Sequence, residues 1–477
     1  TLFTTFCGCD AKVTTEANSD PAPTGVENDE ENYAGEDFVH PLYPEVRAAR
    51  EAQNWALQST LLERVLQDRP KVAAVWNQIG VAQLRLKNYD VAKDAFEKTI
   101  SIDPNYFRAH YNLGLMYASL EDLPNAEQAY IDSIQINPAY GDAHYNLGVL
   151  LQGAGRLEEA EESYQNALET SRSQRLYKAR FNLGLIAASR LDWKVAVKHY
   201  REATLLKVDF ENGHLNLGVA YSKLDKLTKA RDALRRAGSL DPTDYRVPWN
   251  LGLIALKING RKEARPYFEK ALELNPAYAP AAFNLGLADF HNNDFDQALR
   301  SFRQAVKLDE NYVEAYYMTG KTFSEQGQSR EAADAFKAAY ELDDTYVEAA
   351  YNYALNLTKL GNDDAVRAVY EQIANSGQEH PNSLYNLALI HIEDDSFETA
   401  RTLLQRALDA DPNHQKAQYN LGLVNFREGK LKQAEEVIVS LVKSNPEYRE
   451  GRFLLARIID ESGRKDEAID LYRNLAE

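Results

Sequence analysis

A short box of residues returns along this chain at an almost constant interval. One clear copy of the box is the segment Tyr111–Gly114, which reads tyrosine, asparagine, leucine, glycine. The asparagine recurs in a single register, at Asn112, Asn146, Asn182, Asn216, Asn250, Asn284, Asn352, Asn386 and Asn420. The interval is 34 residues, apart from a step of 36 between Asn146 and Asn182, and Met318 replaces one asparagine. A period of roughly 20 to 50 residues indicates an array of repeats, in which each unit packs only on its neighbours.

The rest of each period has a fixed pattern as well. The small residue that closes the box is followed 12 positions later by alanine and four positions further by a large apolar residue, as Gly114 is by Ala126 and Tyr130. Two stretches with apolar spacings of three and four fit into each period, which indicates two amphipathic helices. Pro138 follows the second stretch, and proline cannot continue a helix. Each period therefore predicts two helices joined by a turn, named helix A and helix B below.

This pattern resembles the tetratricopeptide repeat, a helix-turn-helix unit of 34 residues. The resemblance covers residues 73–477, and residues 41–72 are predicted to form a degenerate N-terminal helical repeat. The predicted repeats begin near residues 73, 107, 141, 177, 211, 245, 279, 313, 347, 381, 415 and 449. The resemblance implies an all-α fold, a right-handed superhelix of about twelve helix-turn-helix repeats plus the degenerate unit.

The charge of the chain excludes some classes of binding partner. A net charge of −18 and an isoelectric point near 5.1 argue against general nucleic-acid binding. No run of the sequence reaches the roughly 18 apolar residues that a membrane-spanning helix needs. The charge is uneven, because residues 171–270 hold 21 basic and 10 acidic side chains, a net of +11. We name this segment the basic waist.

The first forty residues predict a membrane tether. Residues 1–9 resemble the end of a bacterial lipoprotein signal, with Cys9 as the lipidated residue. Residues 10–40 hold nine acidic side chains and one lysine, a composition that predicts a disordered acidic tether. The expected location is therefore extracytoplasmic, lipid-anchored on the periplasmic side of a bacterial membrane. The alternative is a cytoplasmic chain in which Cys9 has no special role.

Catalysis is not predicted. The sequence contains no nucleophile elbow, no phosphate-binding glycine loop and no His-Glu-x-x-His motif. His110, His144 and His214 share one position in different repeats, and stacked helices about 8–10 Å apart are too distant to share a metal bound at about 2 Å. We therefore expect neither an enzyme nor a cofactor, a metal site or a small-molecule substrate.

The fifth and sixth positions of helix A are the candidate peptide-binding residues, because the resemblance places them on the concave side. The asparagine at position six offers a donor and an acceptor, and amides about 8–10 Å apart could bind the backbone of an extended peptide at every third residue. The register is similar to the asparagine ladder in the tetratricopeptide superhelix of O-linked N-acetylglucosamine transferase, whose transferase domain has no counterpart here. The other interpretation is structural: each amide bonds to the neighbouring helix and holds the repeats together.

Position five is mostly aromatic and has two interpretations as well. Tyr111, Tyr145 and Trp249 are candidate contacts for a ligand, since a tyrosine or tryptophan can present a polar edge. The alternative is packing between helices A and B. The dicarboxylate clamp of chaperone-binding repeats is not expected, because the residue after the box is apolar, as at Leu115.

The basic waist predicts an acidic partner. Lys178, Lys223, Arg246 and Lys257 occupy helix A positions expected to face the groove, where they would attract acidic segments. The acidic part of residues 27–37 is one such segment, and we expect it to compete with a partner there. The sequence thus predicts a protein-interaction scaffold that binds an extended peptide or partner subunit in its groove. The alternative is a structural subunit packed permanently into an assembly through its outer face and C-terminal end.

Overall fold

A computed structural model describes residues 40–170, 176–258 and 261–476. The predictions for Cys9, for residues 1–9 and for nearly all of the acidic tether fall outside these ranges. The chain divides into two compact units, residues 1–254 and 255–477. Within the described ranges, no helix has the length and apolar character needed to cross a membrane.

The described part of the first unit consists of helices arranged in consecutive pairs. They are α1 (Tyr43–Glu51), α2 (Trp55–Asp68), α3 (Ala73–Arg85), α4 (Tyr89–Ile102), α5 (Phe107–Ser119), α6 (Leu123–Ile136), α7 (Gly141–Gly153), α8 (Leu157–Thr170), α9 (Leu176–Ser189), α10 (Trp193–Leu206), α11 (Glu211–Lys223) and α12 (Leu227–Leu240). Helix α13 (Arg246–Ile258) begins in this unit and ends in the second. Helices α1 and α2 occupy the segment predicted as a degenerate repeat.

The second unit continues the same alternation of helices A and B. Its helices are α14 (Arg261–Leu274), α15 (Ala279–His291), α16 (Phe295–Leu308), α17 (Val313–Glu325), α18 (Ser329–Leu342), α19 (Val347–Lys359), α20 (Asp363–Asn375), α21 (Pro381–Glu393), α22 (Phe397–Ala410), α23 (Gln415–Arg427), α24 (Leu431–Ser444), α25 (Arg449–Glu461) and α26 (Lys465–Ala476). The predicted all-α fold is confirmed.

The glycine of the box allows helix A to lie directly against helix B. A β-carbon added at Gly114 in α5 would lie 2.5 Å from the ring of Tyr130 in α6, a distance that real side chains do not adopt. Tyr130 and Ala126 are both buried in the core at this crossing. The alanine 12 positions after the box and the ring four positions later therefore form one contact, in which a bulky ring fills the space left by the glycine.

The turn between the two helices depends on one residue in the left-handed region. In α7–α8 this residue is Gly155, with φ of 76°, and in α9–α10 it is Leu191, with φ of 60°. Glycine adopts this conformation without a steric penalty, whereas leucine does so at a cost. At the other end of the repeat, α6 ends at Ile136, two residues before Pro138, as the proline predicted.

Candidate functional site

The asparagine register lies along helices A, but its members differ in exposure. Asparagines of repeats 2, 4, 5, 6 and 7 are buried, namely Asn112, Asn182, Asn216, Asn250 and Asn284. Those of repeats 3, 9, 10 and 11 are half-buried, namely Asn146, Asn352, Asn386 and Asn420. One sequence position therefore occupies two environments, and only the second environment offers a side chain to a partner.

Several of the amides bond to position five of the preceding repeat. The Nδ2 of Asn146 donates to the hydroxyl of Tyr111 at 2.8 Å, and Asn420 donates to the hydroxyl of Tyr385 at 3.4 Å. The tyrosines preceding Asn352 and Asn386, which are Tyr317 and Tyr351, also hydrogen-bond to these amides. For Asn112 of repeat 2, position five of the preceding repeat is Asn77, which is polar but not aromatic. Asn112 donates to Oδ1 of Asn77 at 3.0 Å. A polar pair thus joins neighbouring helices A.

Where position five of the preceding repeat has no oxygen, the amide turns to its own helix. For Asn216, position five of the preceding repeat is Phe181, which has no side-chain oxygen. The Nδ2 of Asn216 therefore donates to the carbonyl oxygen of Asn212, in its own helix, at 2.9 Å. Asn250 follows Leu215 and donates to the carbonyl oxygen of Arg246 at 2.8 Å. Asn284 likewise donates to the carbonyl oxygen of Pro280 at 2.7 Å. Asn182 differs, because it follows Tyr145 and donates to the hydroxyl of Tyr164 in α8 at 3.0 Å. All nine amides therefore donate within the chain.

The aromatic residues of position five are core residues in the first unit. Tyr111, Tyr145 and Trp249 are all buried. The ring of Tyr111 packs against Tyr130 and edge-on against Tyr140, with centroids 6.0 and 5.1 Å apart. Packing therefore accounts for these rings, and their role as ligand contacts stays a prediction.

Position five opens to solvent in repeats 9 to 11. Tyr351, Tyr385 and Tyr419 are half-buried, and so are the asparagines that follow them. Each ring packs on the residue that precedes the next helix A: Tyr351 on His380, with centroids 4.8 Å apart, and Tyr385 on His414 at 5.0 Å. This difference was not predictable from the sequence, because repeats 2 and 3 have the same tyrosine-asparagine pair at these positions.

The cations predicted to line the groove have different surroundings. Arg246 is half-buried and forms an ion pair with Asp244 at 2.8 Å, and it also donates to Oδ1 of Asn212 at 3.2 Å. Lys223 is exposed, and its Nζ lies 5.8 Å from the ring centre of Trp193. Lys178 is half-buried, and Lys257 is exposed in the second unit. Because Arg246 already has an acidic partner, it attracts a ligand less strongly than the sequence suggested.

The carboxyl groups of Glu211 and Asp244 lie beside Arg246, and the pKa of Glu211 is raised. Glu211 is the first residue of α11, and one of its carboxyl oxygens is buried without a hydrogen-bond partner among the described residues. Burial raises the pKa of Glu211 to about 7, the neighbouring Asp244 carboxylate acts in the same direction, and Arg246 opposes both. Near neutral pH Glu211 is therefore partly protonated.

The three histidines in one register have separate contacts. His144 bonds to the carbonyl oxygen of Pro138 at 3.0 Å, and His214 to that of Val208 at 3.0 Å. The Nδ1 of His110 lies 3.7 Å from a carboxylate oxygen of Asp132. No cluster of three or more metal-ligating side chains occurs within the described ranges.

The fold and the register together define a helical repeat protein. Matches to the tetratricopeptide repeat family occur over residues 43–106, 80–144, 141–172, 212–244, 250–313, 283–346, 317–383 and 391–458. These segments cover more than half of the chain, so the chain belongs to the tetratricopeptide repeat family. Proteins of this family bind other proteins and are generally not enzymes, and this chain is accordingly a protein–protein interaction scaffold.

Three solved structures are similar to this chain at low sequence identity. MamA from Desulfovibrio magneticus is 22% identical, with 37% of this chain and 98% of MamA covered and a TM-score of 0.34. Yeast Tom70 is 18% identical over 85% of this chain and 91% of its own, with a TM-score of 0.34. Pseudomonas aeruginosa PilF is 21% identical over 47% of this chain and 98% of its own, with a TM-score of 0.40. No curated protein matches the sequence.

Proposed function

We propose that the open faces of α19, α21 and α23 bind an extended peptide segment of a partner protein. The observation that carries this proposal is the difference in exposure between equivalent positions. The side chains at positions five, six and nine are half-buried in all three helices, as at Tyr385, Asn386 and Leu389. The equivalent residues of α5, α11 and α15 are buried.

The asparagines of these helices supply acceptors for a peptide backbone. The Nδ2 groups of Asn352 and Asn420 donate to carbonyl oxygens of their own helices, and Nδ2 of Asn386 donates to the hydroxyl of Tyr370 at 2.9 Å. The amide oxygens accept no hydrogen bond from the part of the chain that the structure describes. A peptide N–H can therefore donate to each oxygen, and helices about 8–10 Å apart match every third residue of an extended strand.

Apolar and aromatic surfaces beside the amides would hold the peptide side chains. Leu355, Leu389 and Leu423 are half-buried at position nine, next to the tyrosines of position five. Tyrosine offers a flat apolar face with a polar tip, the chemistry common in protein interfaces. The exposed charges of these helices have both signs, namely Glu348 and Glu393 with Lys359 and Lys416. A peptide with alternating apolar side chains and low net charge fits this surface.

A random peptide library of about twelve residues, selected on the full chain, provides the probe. The double variant Asn386→Ala with Asn420→Ala should weaken binding of the selected peptide at least about fivefold in fluorescence anisotropy, because two hydrogen bonds of about 0.5–1.5 kcal/mol each are lost. The matched control is Asn216→Ala with Asn250→Ala, which changes buried members of the register and should leave the affinity of the folded protein unchanged. Equal affinities for both double variants and the parent chain would disprove the proposal.

We propose in addition that the scaffold is displayed outside the cytoplasm by a lipid on Cys9. Support comes from the sequence alone: residues 6–9 fit a lipobox, and acidic residues 10–39 follow it. Mass spectrometry of the mature N-terminal peptide from native membranes tests this. A diacylated Cys9, with release of the protein by Cys9→Ser, is expected, and an unmodified Cys9 within a longer mature chain would contradict it.

A further inference from the structure

The outer faces of α10 and α12 carry exposed cations that lack acidic partners. Lys194, Lys198 and Arg201 follow one another at spacings of four and three on α10, so they share one face of that helix. They form no ion pair within the described ranges, and Glu202, the only acidic residue of α10, pairs with Arg180 at 2.9 Å. On α12 the exposed cations Arg235 and Arg236 are likewise without an ion pair there.

Three arginines near other helices B are paired. Arg156 lies 2.7 Å from Glu127, and Arg190 lies 2.6 Å from Glu161, so each links a repeat to the helix B before it. In the second unit Arg464 pairs with Glu435 at 2.5 Å in the same way. Paired and unpaired cations therefore both occur on helices B, since Arg300 and Arg303 of α16 are also exposed and form no ion pair within the described ranges.

Two further observations point to a ligand for this face. The α10 stripe continues into Leu205, four residues after Arg201, and 71% of the Leu205 surface is exposed. Leu206 and Val208 are exposed beside it. The positive charge also affects His199 on the same helix. Burial lowers the pKa of His199, the charges of Arg180 and Lys198 lower it further, and the charge of Glu202 raises it. A ligand for this surface is acidic and carries some bulky apolar side chains.

We propose that the outer face of α10 and α12 binds the acidic segment formed by residues 27–31 of the same chain. This segment contains Glu27, Asp29, Glu30 and Glu31. Its negative charge complements the cations of this face. The docking surface is on helices B, so it is separate from the helix A face proposed to bind a partner peptide.

The length of the connecting chain decides which acids reach this surface. Helix α10 belongs to the fourth repeat after the α1–α2 pair, which places it about 32–40 Å along the stack at 8–10 Å per repeat. An extended chain from His40 back to Glu27 spans about 43–47 Å, whereas Asp37 reaches only about 10 Å. Glu27, Asp29 and Glu30 therefore reach α10, Glu31 lies at the limit with about 30–32 Å, and Glu36 and Asp37 do not reach it. Covalent connection keeps the segment at an effective concentration on the order of millimolar.

Zero-length carbodiimide cross-linking of the full chain, followed by peptide mass spectrometry, tests this contact. The reagent joins a carboxylate to a lysine amine in direct contact, so cross-links from residues 27–31 to Lys194 and Lys198 are expected. They should fall at least fivefold between about 50 and 500 mM salt, because the contact is electrostatic and exposed. A mixture of isotopically labelled and unlabelled chains distinguishes the sources, and cross-links found only between the two populations would overturn the assignment to the same chain.

Charge reversal provides the matched control. Lys198→Glu with Arg201→Glu should reduce the cross-links to Lys194 at least fivefold, with the helical circular dichroism unchanged since both residues are exposed. Arg300→Glu with Arg303→Glu changes the same two positions of helix B in repeat 7 and should have no effect on these cross-links. Cross-links spread evenly over exposed lysines, or binding of this face to anionic lipid vesicles without any cross-link to residues 27–31, would refute the proposal.

Discussion

The side-chain amide of Asn146 in α7 donates a hydrogen bond to the hydroxyl of Tyr111 in α5, at 2.8 Å. The two residues are 35 positions apart, one repeat plus one residue. The asparagine register therefore has a structural function even where it is half-exposed, because it joins position six of one helix A to position five of the preceding one. The two interpretations of the register are compatible, since the amide nitrogen donates within the chain while the amide oxygens of repeats 9 to 11 accept no hydrogen bond within the described ranges.

Tyr111→Phe should lower the free energy of unfolding by about 1 kcal/mol, because it leaves the Asn146 amide without its acceptor while preserving the buried ring. Urea denaturation followed by circular dichroism measures this change. The double variant Tyr111→Phe with Asn146→Leu should cost less than the sum of the two single changes if the pair acts as a unit. Strict additivity would show that the hydroxyl contributes through other contacts.

The sequence was sufficient for the fold and the register. The spacing between Gly114, Ala126 and Tyr130 predicted the helix pair, and the structure confirms it with these residues packed at one crossing. The partner of Arg246 was also within reach of sequence reasoning, since Asn212 is the same position one repeat earlier. The exposure of each asparagine could not be predicted from the sequence. Asn216 and Asn386 are the same residue type in the same register, yet the first is buried and the second is half-buried. Whether such a side chain is covered depends on the combined packing of neighbouring helices, and no single residue type encodes it.

Gly114→Ala should destabilise the protein by about 1–3 kcal/mol, because the added methyl group overlaps the Tyr130 ring and forces α5 away from α6. Thermal denaturation measures the effect. Gly153 at the end of α7 is the matched control, since nothing lies within 4 Å of its added β-carbon. Gly153→Ala should be neutral or stabilising by up to about 1 kcal/mol, as alanine is the better helix former. Equal losses from both substitutions would contradict the packing argument.

Arg265 and Asp289 form an ion pair in which the carboxylate is 1% exposed, and Glu269 lies 3.0 Å from the same guanidinium. Arg265→Ala should cost about 3–5 kcal/mol at pH 7, because it leaves a buried carboxylate without its counter-charge. Burial already raises the pKa of Asp289, while Arg265 lowers it. Removal of Arg265 therefore raises this pKa further.

The consequence is a pH dependence specific to the Arg265→Ala variant. A carboxyl group whose pKa is raised in the folded state is penalised above that pKa and relieved as the pH falls through it. The variant should consequently recover part of its lost stability between pH 7 and pH 5 in urea denaturation. Asp289→Asn removes the charge, so its cost should change little over the same range. A constant deficit for Arg265→Ala at both pH values would argue that Asp289 is not the source.

Glu211 should make the first unit less stable as the pH rises from about 5 to 8. Its folded pKa is raised to about 7 by burial and by Asp244, so the folded state binds a proton that the unfolded state releases near pH 4.5. Stability is therefore highest below the unfolded pKa, declines through the interval and levels off above pH 7.

Glu211→Gln keeps a donor for Asp244 without a charge, and it should raise the free energy of unfolding at pH 8 by about 1 kcal/mol, a value reduced for solvent screening. At pH 5 the variant and the parent should differ little. Glu348→Gln is the opposite control, because a hydrogen bond from His380 lowers the pKa of Glu348, and this substitution should not stabilise the protein at pH 8. The thermal unfolding midpoints of the three proteins are measured at pH 5 and pH 8. If the midpoint of the parent chain does not fall relative to that of Glu211→Gln between these pH values, Glu211 is ionised throughout.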